Sequence, residues 1–425
     1  MAVASDVPKE SFRLSMLIYD TRFRSITIQV VVLILFALFV AWLLNNTAQN
    51  LAIRGKVFSY AFLWQRAGYD IQQQLIPYTN DDTHFRALVV GLLNTLVVAV
   101  ISCALATVLG IVIGVLRLSH NWLVARLMTI YVEAFRNVPV LLWILLAYVV
   151  LSETTSEPKA FRLTDEMIAA GQTPSASMMF WDSVAVTNRG TNIPAPLLER
   201  GLGSIALGPI SLNLTFLAIV AVIAASIWVN HLVISSARRT QDQTGVRPKT
   251  WWKSILILFV PIIALLASLG FHLEYPELKG FNFKGGILVA HAFTALTIAL
   301  TLYTAAFIAE IVRAGILAIN RGQTEAAYAL GLRPGKTMRL VILPQALRII
   351  IPPLISEYLS LTKNTSLGIA VSYLDLKGTL GGITLNQTGR ELECMLLMML
   401  IYLSISLIIS GIMNLYNRSV QLKAR

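Results

Sequence analysis

The sequence predicts an all-α protein, a polytopic bundle of about eight membrane-crossing helices. Three observations carry this reading. Hydrophobic residues make up 56% of the 425 positions and charged residues only 13%, whereas soluble domains carry about 25% charged residues. Eight apolar runs reach the length of about 20 residues that a membrane helix needs. Lysine and arginine, finally, are unevenly divided between the segments joining those runs.

The runs lie at 26–44, 87–116, 127–151, 210–237, 254–271, 285–308, 349–374 and 394–416. The first follows Lys9, Arg13, Arg22 and Arg24 and is too long for the apolar part of a cleavable signal, so it reads as a retained helix. The second carries Gly110 and Gly114, a GxxxG spacing that lets two helices approach closely. Pro261 interrupts the fifth, and Glu357 and Lys363 lie inside the seventh. An even number of crossings puts both termini on one side. Segments on that side hold twenty Lys and Arg in mostly short loops, against twelve in longer, acid-containing segments on the other. That bias places both termini in the cytoplasm. Segment 152–209, rich in Pro, Thr and Ser, is expected to be a long external loop with short helices, and 375–393 a shorter external one. Segment 238–253 carries Arg238, Arg239, Arg247, Lys249 and Lys253. Such a stretch fixes topology, and it could also hold anionic lipid heads.

Charged residues inside spans are costly and mark function by default. Glu133 and Arg136 are three apart, as are Glu310 and Arg313, so each pair shares a helix face and can neutralise itself. Both pairs fall near the cytoplasmic ends of their spans. They read as ion pairs or an inner gate, with direct contact to a transported solute as the alternative. Lys363 stands about 14 residues into its span, roughly 21 Å at helical rise. Glu357 is off its face. Lys363, Asn364, Thr365 and Ser366 together offer donors that a carboxylate could accept. The other reading pairs Lys363 with an acid on another helix.

The most informative stretch is 320–353, between the sixth and seventh spans. Glu325-Ala326-Ala327 is followed after three residues by Gly331, and after nine more by Val341-Ile342-Leu343-Pro344; Pro352 and Pro353 close it. Gly322 and Leu330 belong to the same short helical run. This spacing resembles the EAA loop of ABC importer permeases, with Val341 in place of the usual Ile. Gly91–Leu96, Glu133–Pro139, Ala309–Gly315 and Lys363–Leu367 extend the resemblance to polar amino-acid uptake permeases over roughly 86–151 and 285–418. The additional first helix and the insertion resemble the long permeases of general L-amino-acid uptake systems.

The resemblance implies a type I ABC importer permease fold. It implies the divisions 1–86, 87–151, 152–284 and 285–425, with a coupling loop at 320–344. Gly322, Glu325, Ala326, Ala327, Leu330, Gly331, Leu343 and Pro344 would dock on a cytoplasmic ATPase. Implied partners are a second permease, of the same or a different kind, two ATPase subunits, a periplasmic amino-acid-binding protein and the lipid. ATP and its Mg²⁺ would be bound by the ATPases, not by this chain, which would carry no cofactor. The substrate pathway would draw on Lys363, Asn364, Thr365, Ser366, Glu133, Arg136, Glu310, Arg313 and Glu357.

Several classes are disfavoured. Gly331–Thr337 imitates a phosphate loop but has three residues between the glycines rather than four, and no strand before it. His84, His120, His231, His272 and His291 show no metal spacing. The positive charge is explained by topology, so nucleic acid is not an expected partner. An ion-driven secondary transporter is the alternative transport reading; it would show inverted repeats with broken helices at matching positions, and none is evident. An embedded enzyme would need a cluster of titratable groups at one depth.

Overall fold

The computed structural model describes residues 18, 20–53, 55, 57–163, 173–207, 210–246 and 248–420. Among these, seven helices are long and apolar enough to cross a membrane, or eight if a bent pair counts as one span. They are α1 (Thr21–Ile53), α2 (His84–Leu116), the pair α3 (Trp122–Asn137) and α4 (Val140–Thr154), α5 (Leu214–Thr244), α6 (Trp251–Ser268) and α7 (His291–Leu317). A short helix α8 (Arg321–Ala329) follows, then α9 (Leu343–Asn364) and α10 (Glu391–Val420).

Local chemistry sets several helix starts. The Thr83 hydroxyl accepts from the Arg86 N–H, and the Asn121 side chain accepts from Leu123 and Val124. Asn213 does the same for Thr215 and Phe216. Each satisfies amides that a helix leaves orphaned at its first turn. The third predicted run is not one straight helix. It breaks at Val138-Pro139 and turns through 105°. Proline removes an amide, and its ring disfavours helical geometry at the residue before it.

The core is the contact of α2 with α7. Small residues line it, with Ala99, Ser102 and Ala106 on one side and Ala295, Ala299, Ala305 and Ala309 on the other, all buried. Gly110 and Gly114 complete the seam. A β-carbon on Gly110 would lie 2.7 Å from Ile308, and one on Gly114 2.7 Å from the Ala309 carbonyl. The predicted GxxxG is therefore a real close approach. The Tyr131 hydroxyl donates to the Leu302 carbonyl (2.6 Å), holding α3 to α7, and Thr107 and Tyr358 hydroxyls meet at 2.7 Å, holding α2 to α9. By contrast α1 has no buried residue in its apolar window, and α6 has none at all.

Two external-loop expectations need correction. Among the described residues of 152–209, Pro158–Phe161 is a short helical turn and, past the end of α4, the other regular structure there and just beyond is strand. The strands are β1 (Ala185–Thr187), β2 (Gly190–Ile193), β3 (Ala195–Leu198), β4 (Ser204–Leu207) and β5 (Ile210–Asn213). They join β6 (Phe271–Glu274), β7 (Glu277–Lys279), β8 (Asn282–Lys284) and β9 (Ile287–Val289). Strand β9 adds to β1–β2, and β6 pairs with β3, so the two ends of the insertion close on each other. Residues 210–213 and 287–289, expected in spans, are strand; Gly285 and Gly286 turn the chain at φ +76° and +68°. We call this side of the bundle the β face.

Segment 375–388 is likewise no solvent loop. Asp375, Leu376, Thr379 and Leu380 are fully buried. Successive helical turns, Leu376–Gly378, Thr379–Thr384 and Leu385–Thr388, pack this segment on the start of α2, where Gly91 gives room for Thr379. The seventh span also ends early. Regular helix stops at Asn364, a tighter turn runs Thr365–Val371, and Ser372 takes a left-handed conformation at φ +60°.

Candidate translocation and coupling site

The loop opposite the β face is built around α8. Asn320 caps it, its side chain accepting from the Gly322 N–H at 2.9 Å. Ala327 is the one buried residue of this helix; Glu325 and Ala326 face outward, and Leu330 is 82% exposed. Gly331 sits at φ +75° with nothing within 4 Å of a would-be β-carbon. Its role is therefore the left-handed turn, not close packing. The Gly331 and Leu332 amides donate back to the Tyr328 and Ala327 carbonyls, closing the helix end. Residues Met338–Ile342 form a wide π-helical turn that leads into α9, with Leu343 and Pro344 exposed at its start. Pro352 and Pro353 lie within α9. The result is a short helix presenting Glu325, Ala326, Tyr328 and Leu330, attached at both ends to core helices.

Inside the bundle, the charged pairs separate in behaviour. Glu310 and Arg313 do pair, at 2.6 Å, and Arg117 from the end of α2 binds the other Glu310 oxygen. Arg117 was not singled out in the sequence; the signal was there, since it is the first charge after a long apolar run. One carboxylate thus ties two arginines and two helices. Glu133 and Arg136 form no ion pair. Asn137 donates to Glu133 (3.3 Å), and the Arg136 guanidinium lies 5.4 Å from the centre of the Phe307 ring on α7. Glu357, half-buried on α9, feels the Arg136 charge without forming an ion pair with it.

Lys363 is exposed at the end of α9, and its ammonium has no partner among the described residues. It is not paired with Glu357. Thr365 is buried and donates to the Thr362 carbonyl (2.9 Å), while Ser366 donates to the Lys363 carbonyl (2.7 Å). Both hydroxyls satisfy carbonyls released where the α-helix tightens. Asn364 is half-buried. Sequence reasoning missed Asp375, whose carboxylate accepts from the Gly378 amide (2.8 Å) and the Tyr402 hydroxyl (3.4 Å). No group of three or more potential metal ligands occurs among the described residues.

Comparison with known proteins now fits this architecture. Residues 252–422 match the family described as "Binding-protein-dependent transport system inner membrane component". The chain is 69% identical, over its full length and that of the relative, to the glutamate/glutamine/aspartate/asparagine transport system permease protein BztB of Rhodobacter capsulatus. It is 42% identical to the general L-amino acid transport system permease protein AapQ of Rhizobium johnstonii, over 98% of this chain and 96% of that one. A shorter match, 42% over 28% of this chain and 26% of the other, links it to BztC, a permease protein of the same R. capsulatus system. With its all-helical membrane bundle and its α8 loop, the chain belongs to the permease components of amino-acid ABC transport systems.

Proposed function

We infer that this chain imports polar L-amino acids across a bacterial inner membrane as one of two paired permeases. Its relatives are named for glutamate, glutamine, aspartate and asparagine, or for L-amino acids in general. A second permease of related sequence is the natural partner, as BztB and BztC are both named for one system. Two ATPases on the cytoplasmic side bind ATP and Mg²⁺, and a binding protein delivers the amino acid to the β face. Both termini are cytoplasmic, by the charge bias. The chain itself performs no covalent chemistry.

The observation that carries this reading is α8. An exposed short helix, capped by Asn320 and turned back by Gly331, projects Leu330 away from the bundle while Ala327 and α9 anchor it. A rigid projection fixed to α7 and α9 transmits displacement to the core. When the ATPases close, α8 moves with them, and the α7–α9 contact shifts the gate formed by Glu310, Arg117 and Arg313. Lys363 and Arg136 supply cations along the path, and Glu357 an acid. Gly331→Asp forces a side chain into a left-handed turn. It is expected to remove ATPase co-purification and uptake in proteoliposomes while the chain stays membrane-inserted. Normal ATPase recovery with normal uptake would refute the coupling role.

A further inference from the structure

A cavity of about 470 Å³ opens on the β face, away from the charged groups within the bundle. Three distant chain segments build it. Ser59, Gln65 and Arg66 come from the stretch before α2, His84 from the first position of α2, and Gln387, Thr388 and Arg390 from the turn before α10. The volume is that of a small-molecule site.

His84 is the organising residue. It is 3% exposed. Its Nδ1 lies 3.0 Å from the Thr384 hydroxyl, which also meets the Tyr69 hydroxyl at 3.3 Å. The Tyr69 phenol is pushed up by burial, so it stays protonated. Phe62 and Tyr69 pack at ring distances of 6.5 and 6.3 Å. The imidazole is thereby held against the cavity, with no partner for Nε2 among the described residues. Nε2 is not itself shut away from solvent, so an oriented imidazole nitrogen is open to the cavity and can donate to or accept from a polar ligand there.

The two guanidiniums are partly committed. Arg390 uses Nη1 alone, for the Val57 carbonyl and for Glu393 at 3.2 Å. Arg66 uses Nε and Nη2, for Asn80 and for Asp81. Free edges remain on both, and among the described residues no hydrogen bond occupies the Gln65 or Gln387 side-chain amides. Formal charge among these groups is balanced, so a simple anion gains little here. A zwitterion with one carboxylate and a polar side chain matches better, since guanidinium edges take a carboxylate in paired hydrogen bonds and amides and imidazole serve as donor or acceptor.

We propose that this cavity is a receiving site for a free polar amino acid, occupied before the ligand enters the bundle. The assignment rests on the transport reading above. An acidic side chain on a docked protein would offer the same carboxylate, and the test separates the two by leaving the binding protein out. The assembled importer, in nanodiscs without ATP, is titrated with L-glutamate, L-glutamine, glutarate and putrescine and followed by saturation-transfer NMR. Both amino acids are expected to bind, and putrescine not. Arg390→Gln and Gln387→Ala should each weaken L-glutamate by about tenfold, the loss of one charged or amide contact, with Lys279→Gln in the β7–β8 hairpin as the unchanged control. Arg390 also ties Val57 to Glu393; if its variant fails to assemble, Gln387→Ala decides. Equal binding by all variants, no binding by the parent, or putrescine binding as well as glutamate overturns the proposal. Radiolabelled uptake by the parental complex is measured separately. Its absence would sink the transport reading, and leave the cavity result standing on its own.

Discussion

At the scale of residues, the structure turns on which charges find partners. Glu310 holds Arg117 and Arg313 together. Glu310→Gln leaves two arginines side by side with a neutral acceptor. Hydrogen bonds to charged groups contribute about 1.5–3 kcal/mol each, so a marked fall in the melting temperature of the detergent-solubilised chain is expected, larger than for Glu133→Gln, whose carboxylate accepts only from Asn137 among the described residues. Equal losses would mean the triad is unimportant. Lys363 is the opposite case, a cation exposed on this chain and unpartnered among the described residues. Facing lipid it would cost about 2.5–3.5 kcal/mol at a helix centre. Facing the second permease or the solute path, it can meet a carboxylate. Lys363→Met should assemble normally yet lower uptake of acidic amino acids by about tenfold, one lost charge-assisted contact; parental uptake would make Lys363 a structural residue. The i,i+3 spacing identified the Glu310–Arg313 pair correctly. It misjudged Glu133–Arg136, because spacing says which side chains can meet but not which aromatic ring or neighbouring amide competes for them.

Helices and loops show a similar division. Run length located the crossings, since hydropathy is set by the solvent. GxxxG on α2 proved to be the α7 contact. Gly110→Val would drive a branched side chain into Ile308, and overpacking costs about 1–3 kcal/mol. Reduced thermal stability and loss of complex assembly are expected, whereas Gly411→Val on α10, with open space around it, should be tolerated. The strands of the insertion were not legible. Its runs are only three or four residues long, too short for an alternating pattern, and the pairings that close it, β2 with β9 and β3 with β6, span more than 70 residues. Nor was 375–388 legible as packed structure, because its polar and small residues read as a loop. Buried Asp375, satisfied by the Gly378 amide and Tyr402, shows why a polar segment can sit inside.

For the whole molecule, the arrangement is asymmetric. Helices α2, α3, α4, α7, α9 and α10 form an interlocked body, while α1 and the α5–α6 hairpin are almost wholly uncovered. In such a chain the side on which the C-terminus lies and the side on which α8 lies are the same, two crossings apart. Fusing a fluorescent protein to the C-terminus should give fluorescence, and fusing alkaline phosphatase there should give no activity, since α8 and the C-terminus lie on one side of an even set of crossings. The reverse result would put α8 outside, beyond reach of any ATPase.

The bend between α3 and α4 has one further consequence. Two helices meeting at 105° leave the last carbonyls of one and the first amides of the other without intrahelical partners. Pro139 lacks an amide, and Leu142 recovers a bond to its carbonyl at 3.0 Å, but the remainder must be met from elsewhere. Hydrocarbon cannot do so; backbone of this kind survives at membrane depth only beside protein or water. The elbow is therefore expected to stand against neighbouring protein or water rather than hydrocarbon, and amide exchange reads which. Deuterium should label the amides flanking Val138 within seconds in the resting protein, long before those in the middle of α7.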